Sequence, residues 1–126
     1  MTMREMSDAD RDCPIDLDAA LEYAGGDRVF LRELFTVFLE DTRVYLTTIR
    51  AAFTAGRTGD MMVGAHTVKG SLKVLGANTA ASLAERLELA ARASQIDGLE
   101  PDLARFEEEM ERLLRWIEAQ LASVPG

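Results

Sequence analysis

The chain has 126 residues, 48% of them hydrophobic, with 22 acidic and 14 basic side chains and a net charge of −8. A length like this makes one domain around a single core, and the acidic balance disfavours a surface built to grip nucleic-acid phosphates, whose affinity comes from Lys and Arg. No apolar run approaches the ~18 residues of a membrane span, the charged stretch from Met1 to Arg11 is no signal peptide, and the single cysteine, Cys13, forms no internal disulfide and points to the cytoplasm.

Met1 to Pro14 reads as a loose polar tail. Asp16 is placed to cap a short helix, Leu17 to Tyr23, closed by Gly25 and Gly26. Ile15, Leu17, Ala20 and Leu21 give it one sticky side, which predicts that it lies across the end of a larger bundle. Asp27 caps the next helix, Arg28 to Ala55, in which Leu31, Leu34, Phe35, Phe38, Thr42, Tyr45, Leu46, Ile49, Ala52 and Phe53 recur at three and four. Gly56 ends it after roughly 40 Å at 1.5 Å per residue. Phe30, Val37 and Leu39 widen its apolar face, which predicts neighbours on both sides.

Thr58 is the expected cap of the following helix, with Asp60 in its first turn beside the positive end of the helix dipole. That helix runs to about Leu75, and Gly76 stops it. Asn78 or Thr79 starts another, Ala80 to about Ser94, with Leu83, Leu87 and Ala90 as its seam. After a turn at Asp97 and Gly98, Pro101 suits the first position of the last helix. There Leu103, Phe106, Met110, Leu113, Leu114, Ile117 and Leu121 form the buried stripe, and Trp116 is a partly buried anchor. Glu107, Glu108, Glu109 and Glu111 read as a solvated face, and Pro125 and Gly126 as tail. The sum is an all-α fold: an antiparallel up-down four-helix bundle with a short extra N-terminal helix. It occupies residues 15–122 between tails at 1–14 and 123–126.

The stretch from Ala65 to Ala77 carries most of the functional information, and it holds the only histidine. On a helix His66, Lys69, Gly70 and Lys73 share one stripe, while Met61, Val68, Leu72 and Leu75 line the opposite side. The spacing therefore presents an imidazole to water, beside two ammonium groups and one position with no side chain. A neutral imidazole is a usable nucleophile near neutral pH. Were it to take a phosphoryl group, Lys69 one turn on would offset part of the new charge. Gly70 would leave the ring open to a bulky partner, although glycine inside a helix costs about 1 kcal/mol relative to alanine.

The run of His66, Val68, Lys69, Gly70 and Ser71, followed by Gly76, resembles the signature of histidine-containing phosphotransfer (HPt) domains. It departs at Leu72, where that family more often has serine or alanine; Leu72 falls on the buried stripe, so the departure touches packing and not chemistry. The resemblance extends from about Ile15 to Leu121 and implies a bundle of the same architecture. It implies a phosphorelay intermediate: His66 accepts a phosphoryl group on Nε2 from a receiver-domain aspartate or a kinase, then passes it to a receiver aspartate. Lys69 would steady the phosphoryl oxygens, Lys73 would add long-range attraction, and Gly70 would admit the partner's active-site loops. Helical spacing puts Met62, Val63, Thr67, Val74 and Ala77 around His66 as docking residues. The partners implied are response-regulator receiver domains and a sensor or hybrid histidine kinase. The receiver would supply the magnesium ion, so no cofactor or metal is expected of this chain.

Other chemistries fit poorly. A phosphate-binding loop needs Gly-Lys followed by Ser or Thr after a strand, whereas here Lys69 precedes Gly70 inside a helix; no ATP site and no autonomous kinase are expected. One histidine is too few for a di-metal bundle site. The alternative function is a non-catalytic bundle that docks on a receiver or kinase and regulates it with His66 never modified. The start at Met1 suggests a free-standing protein over a module of a hybrid or chemotaxis-type kinase, and a complete bundle suggests a monomer.

Overall fold

The structure, a computed structural model, describes residues 14–123. Cys13, Pro125 and Gly126 lie outside that range, as does most of both expected tails. Pro14, assigned to the N-terminal tail by its sequence, is instead buried.

Five helices occur among the described residues: α1 Leu17–Tyr23, α2 Arg28–Ala55, α3 Thr58–Val74, α4 Asn78–Arg92 and α5 Glu100–Ser123. Two begin as expected. Asp16 accepts from the Ala19 amide and Asp27 from the Phe30 amide, each satisfying a donor that the first helical turn leaves open. Gly56 ends α2 in the left-handed conformation, φ 72°. Two other starts differ. Thr58 is already helical and Arg57 stands in the cap position without a side-chain bond, because the α2–α3 connection is only Gly56 and Arg57 long. Ala77 likewise precedes α4, with Asn78 as its first residue.

The long helices pack in a closed ring, α2 on α3, α3 on α4, α4 on α5 and α5 back on α2. Short connections make each pair antiparallel. The α2–α5 seam is fastened by polar clasps at three heights. Arg32 donates to the Leu121 carbonyl at 3.1 Å, Arg43 pairs with Glu118 at 2.7 Å, and Arg50 reaches both Glu100 at 2.8 Å and Glu107 at 2.5 Å. Glu107 is thus a clasp and not part of a purely solvated face. Both carboxylates hold Arg50 ionised far beyond its ordinary range. Between α2 and α5, Trp116 meets Phe35 edge-on, ring centres 6.1 Å apart, an arrangement that suits the aromatic quadrupoles.

The core follows the predicted stripes. Ile49, Met61, Val68, Leu72, Leu87, Leu103, Phe106, Met110, Leu113 and Ile117 are all fully buried; each such side chain contributes about 1.5–3 kcal/mol relative to exposure. Leu72 is among them, so the one departure from the family signature is a core residue. Leu39 packs partly against the core, but Phe30 and Val37 are exposed, with Val29 and Val44. The wide apolar face of α2 is therefore not covered on both sides.

Helix α1 buries Ala20, while Ile15 and Ala24 are buried at its two flanks. Its leading edge is pinned to the α3–α4 turn, where the Asp16 amide donates to the Gly76 carbonyl at 2.8 Å. Gly76 has φ 70°, and a Cβ there would stand 2.9 Å from both Cβ and the carbonyl oxygen of Asp16. Backbone cannot retreat as a flexible side chain can. Gly76→Ala should therefore lose about 2–3 kcal/mol, combining left-handed strain with the clash. Urea unfolding checks this, and an unchanged midpoint would refute it.

Candidate functional site

Helix α3 places His66 where the spacing predicted, on the face away from Met61, Val68 and Leu72, with its side chain 66% exposed. Gly70 is open: a Cβ there would meet nothing within 4 Å. Val63 and Lys73 are exposed, and Met62, Thr67 and Val74 are half-buried along the flanks of the same face. Val74 lines a shallow groove between α2 and α3, facing Leu34, Val37 and Phe38. Ala77 does not belong to this surface. It is fully buried in the α3–α4 turn, because the helix ends at Val74 and the chain folds inward before Asn78.

The electrostatics rest on a residue that the sequence did not single out. Glu88, on α4, is 2% exposed. Its Oε2 lies 2.9 Å from His66 Nδ1 and 2.7 Å from the Arg92 guanidinium, and its Oε1 lies 2.7 Å from Lys69 Nζ. The Lys69 contact is a close charge-assisted pair, and it is the strongest of the influences that keep Glu88 ionised. Lys69 is correspondingly drawn in, 16% exposed, with Glu85 on its far side at 3.9 Å. It does not stand free beside the imidazole as expected; the buried carboxylate holds it. Among the described residues Lys73 makes no ion pair, so the basic spot at the surface is Lys73 and not the lysine pair.

The Lys69 ammonium, aided by the His66 contact, outweighs desolvation and lowers the Glu88 pKa to about 2. Burial does not prevail because Glu88 is covered by three polar side chains and not by depth of core. An ionised carboxylate only accepts, so His66 Nδ1 carries the proton and donates to it. Nε2 is left with its lone pair, the tautomer a nucleophile needs.

A carboxyl whose folded pKa is lowered stabilises the fold above its ordinary value and loses that contribution as pH falls through the lowered one. For Glu88 the window is from about 4.5 down to about 2, and the contribution is on the order of 1–3 kcal/mol. Acid unfolding of the wild-type protein should show this added loss of stability below pH 4.5. Glu88→Gln should flatten that part of the curve. Parallel curves for the two proteins would refute the assignment.

Glu88 escaped the sequence reading because nothing local marks it. It follows Leu87 in an ordinary amphipathic helix, and its partner is a helix away. One signal was available: with a tight turn at Ala77, His66 and Glu88 stand at equal distances along the chain from it, as do Lys69 and Glu85.

Fold and site together are those of a helical bundle that displays one histidine from the middle of a helix. The chain belongs to the Hpt domain family, which matches residues 33–116. Its general role is therefore histidine phosphotransfer in a phosphorelay, where domains of this family work with receiver domains and histidine kinases. No curated protein matches the sequence. Two solved structures share the fold. Histidine-containing phosphotransfer protein B from Pseudomonas aeruginosa superposes with a TM-score of 0.81 at 20% identity, covering 89% of this chain and 97% of that one. The HPT domain of an Hpt sensor hybrid histidine kinase from Shewanella gives 0.81 at 17% identity, covering 91% and 99%. No helix among the described residues is long and apolar enough to cross a membrane.

Proposed function

We propose that His66 accepts a phosphoryl group on Nε2 from the aspartyl phosphate of a receiver domain and hands it to a second receiver, or carries it in the reverse direction. The observation that supports this is the 2.9 Å contact between Nδ1 of an exposed ring and a buried carboxylate. The Nε2 lone pair forms the P–N bond while the acyl P–O bond breaks, and that electron pair departs with the aspartate carboxylate. The ring keeps its Nδ1 proton and becomes a phosphoimidazolium, whose positive charge lies against Glu88. No proton has to move in the step.

Phosphoryl transfer asks mainly for positioning and charge neutralisation. Helix α3 supplies a fixed nucleophile, and Lys69 is the cation nearest along the helix. Gly70 leaves room for the receiver's loops, and the receiver brings the aspartate and a magnesium ion. Met62, Val63, Thr67 and Val74 form the docking face, with Lys73 attracting the partner from a distance. Such an interface belongs at the small, transient end of the range, below about 1,200 Å². A sensor or hybrid kinase feeds the chain of transfers, in the cytoplasm, and the self-closed core supports a monomer.

Mixing the protein with a panel of phosphorylated receivers tests the reading. At least one should pass on its phosphate, giving an acid-labile, base-stable adduct that maps to His66. No transfer from or to any receiver, and none from a histidine kinase, would reject the proposal.

A further inference from the structure

We propose that Arg92 is a positioning residue for phosphoryl transfer, the fixed cation that keeps Glu88 ionised while Lys69 turns from that carboxylate to the phosphoryl group. This rests on His66 as the phosphoacceptor.

Glu88 has two cations where one would neutralise it. Lys69 comes from α3, one turn beyond His66, and sits on Oε1 at 2.7 Å. Arg92 comes from α4 itself, four residues after Glu88, and sits on Oε2 at 2.7 Å, the oxygen that also accepts from His66 Nδ1. The two cations differ in what holds them. Arg92 is bound along its own helix, so its grip does not depend on anything α3 does. Lys69 is bound across the helix pair, from the helix that also carries His66, and its other neighbour, Glu85, is 3.9 Å away and half exposed. Both contacts are 2.7 Å long, and the ammonium is the one on the same helix as His66, a single turn from it.

A phosphoryl group on Nε2 adds close to two negative charges beside the ring. Lys69 serves those oxygens only by loosening its hold on Oε1. A carboxylate that is 2% exposed and left without a cation is costly; it would take up a proton and stop balancing the positive ring. Arg92 prevents this because guanidinium stays charged throughout. It remains on Oε2, so Glu88 stays an acceptor for Nδ1–H before, during and after transfer. The second cation is thus the condition that makes the first one mobile. Seen only as an exposed i,i+4 pair, Arg92 would matter little to anything.

The test compares wild type, Arg92→Gln and Arg92→Lys with two donors. One is a phosphorylated receiver; the other is phosphoramidate, a small donor whose P–N bond breaks as Nε2–P forms, its nitrogen leaving as ammonia after protonation by water. Arg92→Gln should transfer about fivefold to tenfold more slowly from both donors, the scale of one coupled charge pair. The loss should fall on kcat with the receiver's KM unchanged, the melting temperature should hold, and Arg92→Lys should recover most of the rate. Wild-type rates for Arg92→Gln with phosphoramidate, or a loss confined to a higher KM for the receiver, would overturn the proposal and leave His66 as carrier intact. Wild-type protein that takes phosphate from neither donor would overturn both.

Discussion

His66→Gln is expected to take up no phosphoryl group from any receiver that labels the wild-type protein, and to unfold at the same denaturant concentration. The two halves have separate causes. A glutamine amide nitrogen has its lone pair delocalised into the carbonyl, so it has no nucleophile to offer phosphorus. Stability holds because the side chain at this position is 66% exposed and leaves no cavity; surface changes of this kind stay within about 0.5 kcal/mol. The glutamine N–H can still reach toward Glu88, which keeps the carboxylate partnered. Uptake that survives His66→Gln would falsify the phosphoacceptor assignment. A His66→Ala protein that binds its partner and regulates it as the wild type does would instead favour the docking module without phosphorylation.

Lys69→Ala is expected to slow transfer about 10- to 100-fold, the loss that follows removal of one charged group from a developing anion. The structure makes the origin of that loss double. The ammonium is the cation one turn beyond His66, and it is also the largest single cause of the low Glu88 pKa. Removing it withdraws charge from the phosphoryl oxygens and leaves Arg92 as the sole cation on the buried carboxylate. Measured by single-turnover phosphotransfer, equal rates for wild type and Lys69→Ala would remove both roles. Folding stability should fall far less than the rate, because Arg92 and His66 Nδ1 still hold Glu88.

The bundle was legible in the sequence because its long helices bury aliphatic side chains at regular spacing; Ile49, Leu72, Phe106 and Ile117 are all at the centre they promised. Helix starts were legible where a carboxylate does the capping, at Asp16 and Asp27. They were misjudged at Thr58 and at the α3–α4 turn, where the shortness of the connection and not a side chain sets the boundary. That same shortness explains why Ala77 is core and not surface. At the site, His66 and Gly70 were readable because exposure follows from helical phase alone. Glu88 and Arg92 were not, since their importance depends on the register between two helices. Gly64 escaped for a similar reason: it lets α2 approach α3 so closely that a Cβ would meet Ile49 Cγ1 at 2.9 Å.

The connection at Gly76 and Ala77 has a chemical consequence. Loops are ordinarily where a fold tolerates changes of length most freely. Here the count of residues in the reversal decides which α4 side chain lies opposite the imidazole. Each residue added would turn α4 by about 100° relative to its partner, and a hydrocarbon or an outward-facing group would take the carboxylate's place. The hinge of the hairpin is therefore as much a determinant of ring tautomer as any group touching the ring, although it contains no chemistry of its own.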